Sequence, residues 1–262
     1  MTTIELSTRD VSPFFIAQEH VEAFGQATKD YNKLHEKYVY GSQIAAWLKK
    51  STDRLMMSCG YELQCTRMEC RFDEKIENDS KINLPKTLTG EISDVLRIAI
   101  PVFSGEKKVA EATLTYGIPQ PNDLGSEQKI KWISFYPLRD SELEDLAYAI
   151  GRPKDPLLLA FGKISSALQK YNEKRKLLPG MPVYLGQEVK FFSHRTLQAE
   201  EIVLVGVKKV RKTAGVGVAD LVLARKKEGK TREGIAEARF FVGTAKQDAE
   251  SGLESAVLTQ TF

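Results

Sequence analysis

The stretch Glu19 to Trp47, EHVEAFGQATKDYNKLHEKYVYGSQIAAW, decides how the whole chain reads. Val21, Phe24 and Ala27-Thr28 recur at helical spacing, so its first part can pack one apolar helix face against a core. That face stops at Lys29. Asp30-Tyr31-Asn32 carries polar side chains that bond back to their own backbone and favour a loop. A helix restarts at Tyr40-Gly41-Ser42 and continues with Ile44, Leu48 and Leu55-Met56 on one side.

Between the two helices stand a carboxylate, an amide and an imidazole: Asp30, Asn32 and His35. Asp30 and His35 are too far apart in sequence to be neighbours on one helical face, yet a tight loop can bring both to a single water. An imidazole titrates near neutrality and a carboxylate can orient or deprotonate that water, so the pair suits acid/base work. The helix start at Gly41-Ser42 adds free N–H groups and a positive dipole end for a developing oxyanion, and glycine admits a close approach. The competing reading of the same residues is a capped turn with an exposed histidine.

Phe24 to His35, FGQATKDYNKLH, resembles the MaoC-like, or (R)-specific enoyl-CoA hydratase, signature of the hotdog superfamily, F-x-x-x-[ST]-G-D-x-N-P-x-H. Phe24, Thr28, Asp30, Asn32 and His35 fall on the pattern, while Lys29 and Lys33 replace its usual Gly and Pro. The family's longer insertion after the histidine is missing here, and its His-Gly helix start becomes Tyr40-Gly41.

This resemblance implies an α+β fold in which a curled antiparallel sheet wraps a long central helix. It implies that Asp30 and His35 are catalytic, that Asn32 orients the loop, and that the Gly41 N–H, flanked by Tyr40 and Ser42, binds the thioester carbonyl. The implied reaction interconverts trans-2-enoyl and (R)-3-hydroxyacyl thioesters of coenzyme A or an acyl carrier protein, with no cofactor and no metal. Two other readings stay open: a hotdog that binds acyl thioesters without turnover or serves in an acyl-processing complex, and a hotdog thioesterase.

At 262 residues the chain has room for two domains, each able to bury its own core. Hydrophobic content of 42% and charged content of 28% are ordinary for a globular protein and give no sign of disorder. No apolar run is long enough to cross a bilayer and the N-terminus lacks a signal-peptide pattern, so the expected location is cytoplasmic. A net charge of +3, spread along the chain, gives no footprint for nucleic acid. Cys59, Cys65 and Cys70 match no zinc spacing and are read as reduced thiols.

In chain order, residues 1–16 suit an opening strand, and alternating runs predict strands at 62–72, 87–95, 96–103 and 108–116, with a hairpin at Ser104-Gly105-Glu106. Residues 119–133 read as a linker. The pattern then repeats: an amphipathic segment at Ser141–Ile150, a loop at Gly151–Pro156, a helix in which Phe161–Lys170 echoes Tyr40–Lys50, and strands at 183–192, 200–211, 215–226 and 232–242.

The helices are offset by 120 residues, from Ile44 to Ile164. The expected organisation is a tandem, or double, hotdog: an N-terminal unit over 1–118, a C-terminal unit over 134–243, and a tail over 244–262. Where the first unit has Asp30, the second has Arg152 or its neighbours, so only the first carries an acid/base pair. Such an internal pseudo-dimer allows a monomer, and a homodimer is equally compatible.

His20 and His194 read as capping or exposed histidines, Asn78-Asp79-Ser80 as a turn, and Ala214–Val218 as strand sequence, not a dinucleotide loop. Lys208-Lys209, Arg211-Lys212 and Arg225-Lys226-Lys227 are solvated strand ends or a contact for coenzyme A phosphates or an acidic carrier protein.

Overall fold

The computed structural model describes residues 2–9, 11–31, 33–121, 130–175, 181–192, 196–213, 216–226 and 232–245. Among these residues twelve strands form one antiparallel sheet, and four α-helices pack with it. In the first half these are β1 (Thr2–Ser7), β2 (Phe14–Ile16), α1 (Gln18–Thr28), α2 (Gly41–Ser58), β3 (Gln64–Phe72), β4 (Ser80–Asn83), β5 (Thr87–Ile92), β6 (Leu96–Ser104) and β7 (Lys107–Gly117). In the second they are β8 (Lys131–Pro137), α3 (Asp140–Ile150), α4 (Pro156–Arg175), β9 (Met181–Phe191), β10 (Ile202–Thr213), β11 (Val216–Lys226) and β12 (Arg232–Ala245).

The strand order β1-β5-β6-β7-β3-β9-β12-β11-β10-β8 reads the same from both ends. β3 corresponds to β9, β7 to β12, β6 to β11, β5 to β10 and β1 to β8. The halves meet where Arg67–Arg71 of β3 pairs with Gly186–Lys190 of β9, which makes two curled sheets continuous. The expected repeat is therefore the architecture. Ile44, Trp47, Leu48 and Met56 of α2, and Leu159, Phe161 and Ile164 of α4, are fully or almost fully buried in a core shared by both halves.

Three short elements escaped the alternation pattern. β2 and β4 are too brief to show a period, and they pair with each other, Phe14–Ile16 against Ser80–Ile82. β8 begins at Lys131, inside the stretch read as linker; among the described residues it pairs on one side alone, with β10, and its mixed face blurs the pattern. Pro101 lies in β6 where pairing to β5 has ended at Ala99 and pairing to β4 has not begun until Phe103, so its missing N–H interrupts no ladder on that flank. The expected tail over 244–262 starts too early, since β12 runs to Ala245; residues 176–180, 227–231 and 246–262 lie outside the described residues.

The helices are fastened across the halves in a reciprocal way. Gln43 on α2 gives its side-chain N–H groups to Ala149 O at the end of α3 (2.8 Å) and to His20 O on α1 (3.2 Å). Lys163 on α4, which immediately precedes Ile164 as Gln43 precedes Ile44, donates to Ala27 O at the end of α1 (3.2 Å). Lys163 is 1% exposed, and its charge is met by Glu142 of α3 at 2.9 Å. Gly162 makes the approach possible, since a Cβ there would come within 2.5 Å of the Thr28 methyl.

This arrangement predicts that Lys163→Met, which leaves Glu142 buried with only the longer Lys29 contact, costs about 3 kcal/mol or more. The double variant Lys163→Met, Glu142→Leu recovers part of that loss. Urea denaturation measures both, and an unchanged midpoint for the single variant would contradict it.

Candidate active site

The end of α1 builds the site. Lys29 takes the left-handed conformation (φ 59°), and both its N–H and that of Asp30 close on Gly25 O, so the chain turns sharply and starts a loop at Asp30. Gly151 does the same after α3 (φ 57°), which aligns Lys29 with Gly151 and Asp30 with Arg152. Lysine in this conformation costs about 1 kcal/mol relative to glycine.

Side chains from elsewhere secure the turn. Ser166 on α4 donates to Lys29 O (2.8 Å), and Ser165 donates to Asp30 Oδ2 (2.9 Å). The Tyr40 hydroxyl donates to Asp30 O (2.6 Å), in a space that only a glycine at position 25 leaves open, because a Cβ there would lie 2.7 Å from that oxygen. Asp30 is 4% exposed. Its carboxylate therefore has a hydroxyl donor from the opposite half of the molecule.

His35 sits on a short 3-10 turn, Lys33–Glu36, and its ring stacks on Tyr40 with centroids 3.4 Å apart. Nδ1 is 2.9 Å from Tyr38 O. A carbonyl can only accept, so Nδ1 carries the hydrogen and the neutral ring keeps its lone pair on Nε2. Burial pulls the His35 pKa below the ordinary histidine value, against the upward pull of the Asp30 charge and the Tyr38 carbonyl. The imidazole is therefore a neutral base at neutral pH, beside a carboxylate.

The segment after His35 is braced by the β3–β4 connection. Asn78 donates to His35 O (3.3 Å) and to Gln18, its backbone N–H reaches Lys37 O (3.0 Å), and Val39 N–H reaches Ile76 O (2.9 Å). The turn read at Asn78-Asp79-Ser80 is thus a support for the histidine loop. Asn32 lies outside the described residues.

Gly41 opens α2 behind an extended Tyr40 (φ −67°, ψ 127°), and Ser42 is buried beside it. A Cβ at position 41 would fall 2.2 Å from the Tyr184 ring and 3.1 Å from Phe72. The notch left by this glycine is filled by the Tyr184 ring, whose hydroxyl donates to Gln187. Phe72, Tyr184, Phe240 and Phe161 form a run of ring contacts across the seam beside the start of α2.

Asp30 and His35 both meet Tyr40, just ahead of the first turn of α2 that holds Gly41 and Ser42; the sequence pattern singled out these five residues. It missed Ser165, Ser166, Asn78 and Tyr184. The two serines carried a faint signal, as adjacent hydroxyls inside an otherwise apolar helix; Tyr184 carried none.

Other expectations sort differently. His20 caps α1 through Nδ1, which accepts the Ala17 N–H (3.2 Å). His194 lies outside the described residues. Three members of the basic clusters are paired: Lys208 with Glu237, Arg211 with Asp220, and Arg225 with Glu233 and Glu201. Those three charges are spent within the sheet. Cys65 and Cys70 are buried free thiols and Cys59 is exposed; burial pushes the Cys65 pKa up to about 12. Among the described residues no three His, Cys, Asp or Glu side chains converge on a metal position, and no helix is long and apolar enough to cross a membrane.

No family model matches the sequence, and a search among curated proteins finds no match. Solved structures do resemble it. A conserved hypothetical protein of Mycobacterium tuberculosis, described as having a double hotdog fold, superposes with a TM-score of 0.64 at 6% identity, over 92% of this chain and 95% of that one. A MaoC-domain dehydratase from Chloroflexus aurantiacus gives 0.59 at 7% identity, over 92% and 94%. A MaoC-like dehydratase from Phytophthora capsici gives 0.56 at 10% identity, over 93% and 95%. With the mirrored strand order, these likenesses establish the fold: this chain is a double hotdog.

Proposed function

We propose that the chain is a hydratase/dehydratase acting on acyl thioesters, interconverting trans-2-enoyl and (R)-3-hydroxyacyl forms. The observation that carries this reading is the pairing of a neutral, Nδ1-protonated His35 with the buried Asp30 carboxylate on a loop clamped from both halves. The dehydratase likenesses support it at the level of fold.

In this reading a water is held between the Asp30 carboxylate and His35 Nε2. Its oxygen adds to the β-carbon as one of its protons passes to the pair, and a proton is returned to the α-carbon, so water adds across the double bond without any redox change. Charge that develops on the thioester oxygen faces the N-terminus of α2 at Gly41. Phe72 and Tyr184 form the aromatic wall beside that helix start, suited to an acyl group. Tyr40 keeps the imidazole in plane and ties it to the Asp30 backbone. The thioester carrier, coenzyme A or an acyl carrier protein, is part of the proposal, as is action by a monomer or homodimer.

A second reading, acyl-thioester binding without turnover, is favoured by the Tyr184 ring in the Gly41 notch and the Tyr40 ring over His35. The two readings separate in one assay: loss of enoyl absorbance with trans-2-enoyl-CoA substrates of several chain lengths. Turnover is expected, and Asp30→Asn and His35→Ala should each lower kcat by about 10²-fold or more while remaining folded. Absence of turnover with stabilisation by acyl-CoA supports binding alone, and release of free thiol supports a thioesterase.

The depressed His35 pKa fixes the pH response. The neutral base is present above its folded pKa and is lost as pH falls through it, so kcat/KM should stay flat from pH 8 to about 6.5 and decline only below that value. A decline centred at or above pH 7 would show that His35 is not the base.

A further inference from the structure

The second half places an arginine where the first places its aspartate. Arg152 follows the left-handed Gly151 as Asp30 follows Lys29. Each side chain then crosses to a serine on the central helix of the opposite half: Asp30 to Ser165 of α4, and Arg152 to Ser51 of α2 (Nη2 to Oγ, 3.1 Å). The two positions are therefore counterparts with opposite charge.

The charge at Arg152 is not balanced. Its Nη1 donates to Gly151 O (2.8 Å) and its Nε–H is buried without an acceptor among the described residues. Arg54, exposed and three residues beyond Ser51, stands on the same face of α2. Burial, and then the neighbouring Arg54 charge, hold the Arg152 guanidinium below the ordinary arginine pKa, and no carboxylate opposes them.

Four acids of the surrounding segments are committed elsewhere. Asp53 holds Lys49 (2.6 Å) and the Tyr116 hydroxyl (2.9 Å). Asp155 holds Lys50 (2.8 Å) and caps α4 through the N–H groups of Leu157 and Leu158. Asp140 and Glu144 hold Lys154. The Arg152 guanidinium, brought against the α2 turn that carries Arg54 and paired with no carboxylate among the described residues, is repelled by Arg54, and a bound anion removes that cost. Their planar donor forks suit a phosphate, which presents several oxygens and up to two charges, better than a single carboxylate.

We propose that Arg152 and Arg54, against the α2 turn at Ser51, form an anion site for a phosphate group, so that the second half binds a charged group at the position where the first half holds its carboxylate. This site does not depend on turnover at Asp30 and His35.

The test is thermal stability of the full chain titrated with inorganic phosphate, pyrophosphate, coenzyme A or acetate at constant ionic strength. A saturable rise in Tm with a phosphate-bearing ligand and none with acetate is expected. Arg152→Gln should weaken the apparent affinity by about tenfold or more, and Arg54→Gln, at an exposed position that leaves the fold intact, should weaken it as well. Arg152→Lys, which keeps the charge but not the fork, should fall between parent and Arg152→Gln and serves if the glutamine variant does not fold. Saturation by inorganic phosphate marks a free anion, and saturation only by coenzyme A marks a phosphate carried on a larger ligand; both support the site when the variants weaken it. No saturable response, an equal response to acetate, or an equal response in Arg152→Gln and Arg54→Gln overturns it.

Discussion

The carbonyl groups at the end of α1 are the constraint on which the rest depends. A helix end leaves backbone acceptors unpaired, and inside a protein these must find donors. Here the donors for Ala27, Lys29 and Asp30 come from Lys163, Ser166 and Tyr40, and two of the three belong to the other half of the chain. The debt is mutual, because Gln43 of the first half supplies Ala149 at the end of α3. Each half draws part of the capping of its helix ends from the other, so the seam between β3 and β9 is only part of what binds them.

The same device places the chemistry. Ser165 lies between Lys163 and Ser166 in sequence, so the helix that caps α1 also delivers a hydroxyl to the Asp30 carboxylate. The braced turn at Asn78 and the stack on Tyr40 then fix the imidazole. The mirrored halves carry two equivalent turns, and the residues that follow them, Asp30 and Arg152, give one half a carboxylate near a histidine and the other a cation without a paired carboxylate among the described residues. The helix register follows suit. α4 starts at Pro156, where the first half still has the loop that carries His35.

Much of this was legible in the residues. The stripes of α1, α2 and α4, the strands over 64–72, 87–92, 96–104 and 107–117, and the repeat from Ile44 to Ile164 all follow from hydrophobic period, which reports burial directly. The turn at Lys29 was readable from Asp30-Tyr31-Asn32 even though lysine takes the left-handed position there, at a penalty of about 1 kcal/mol that the bonds from Ser166 and Tyr40 to the turn offset. What escaped depends on long-range contact. Tyr184 reaches Gly41 from a strand far along the chain, and the glycine, which sequence reasoning reserved for a substrate, is also demanded by that ring. Ser165 acquires its meaning only once α4 lies against α1, and β2 and β8 are too short or too one-sided to announce themselves.

The most direct test of the account is the turnover of trans-2-enoyl-CoA by Ser165→Ala beside the parent and Ser165→Thr. If the second half holds the first half's carboxylate in place for chemistry, the parent turns over, kcat in Ser165→Ala falls by about tenfold with KM little changed, and the threonine hydroxyl restores most of the loss. Equal kcat in folded Ser165→Ala and parent, or a parent inert toward every chain length, would contradict it.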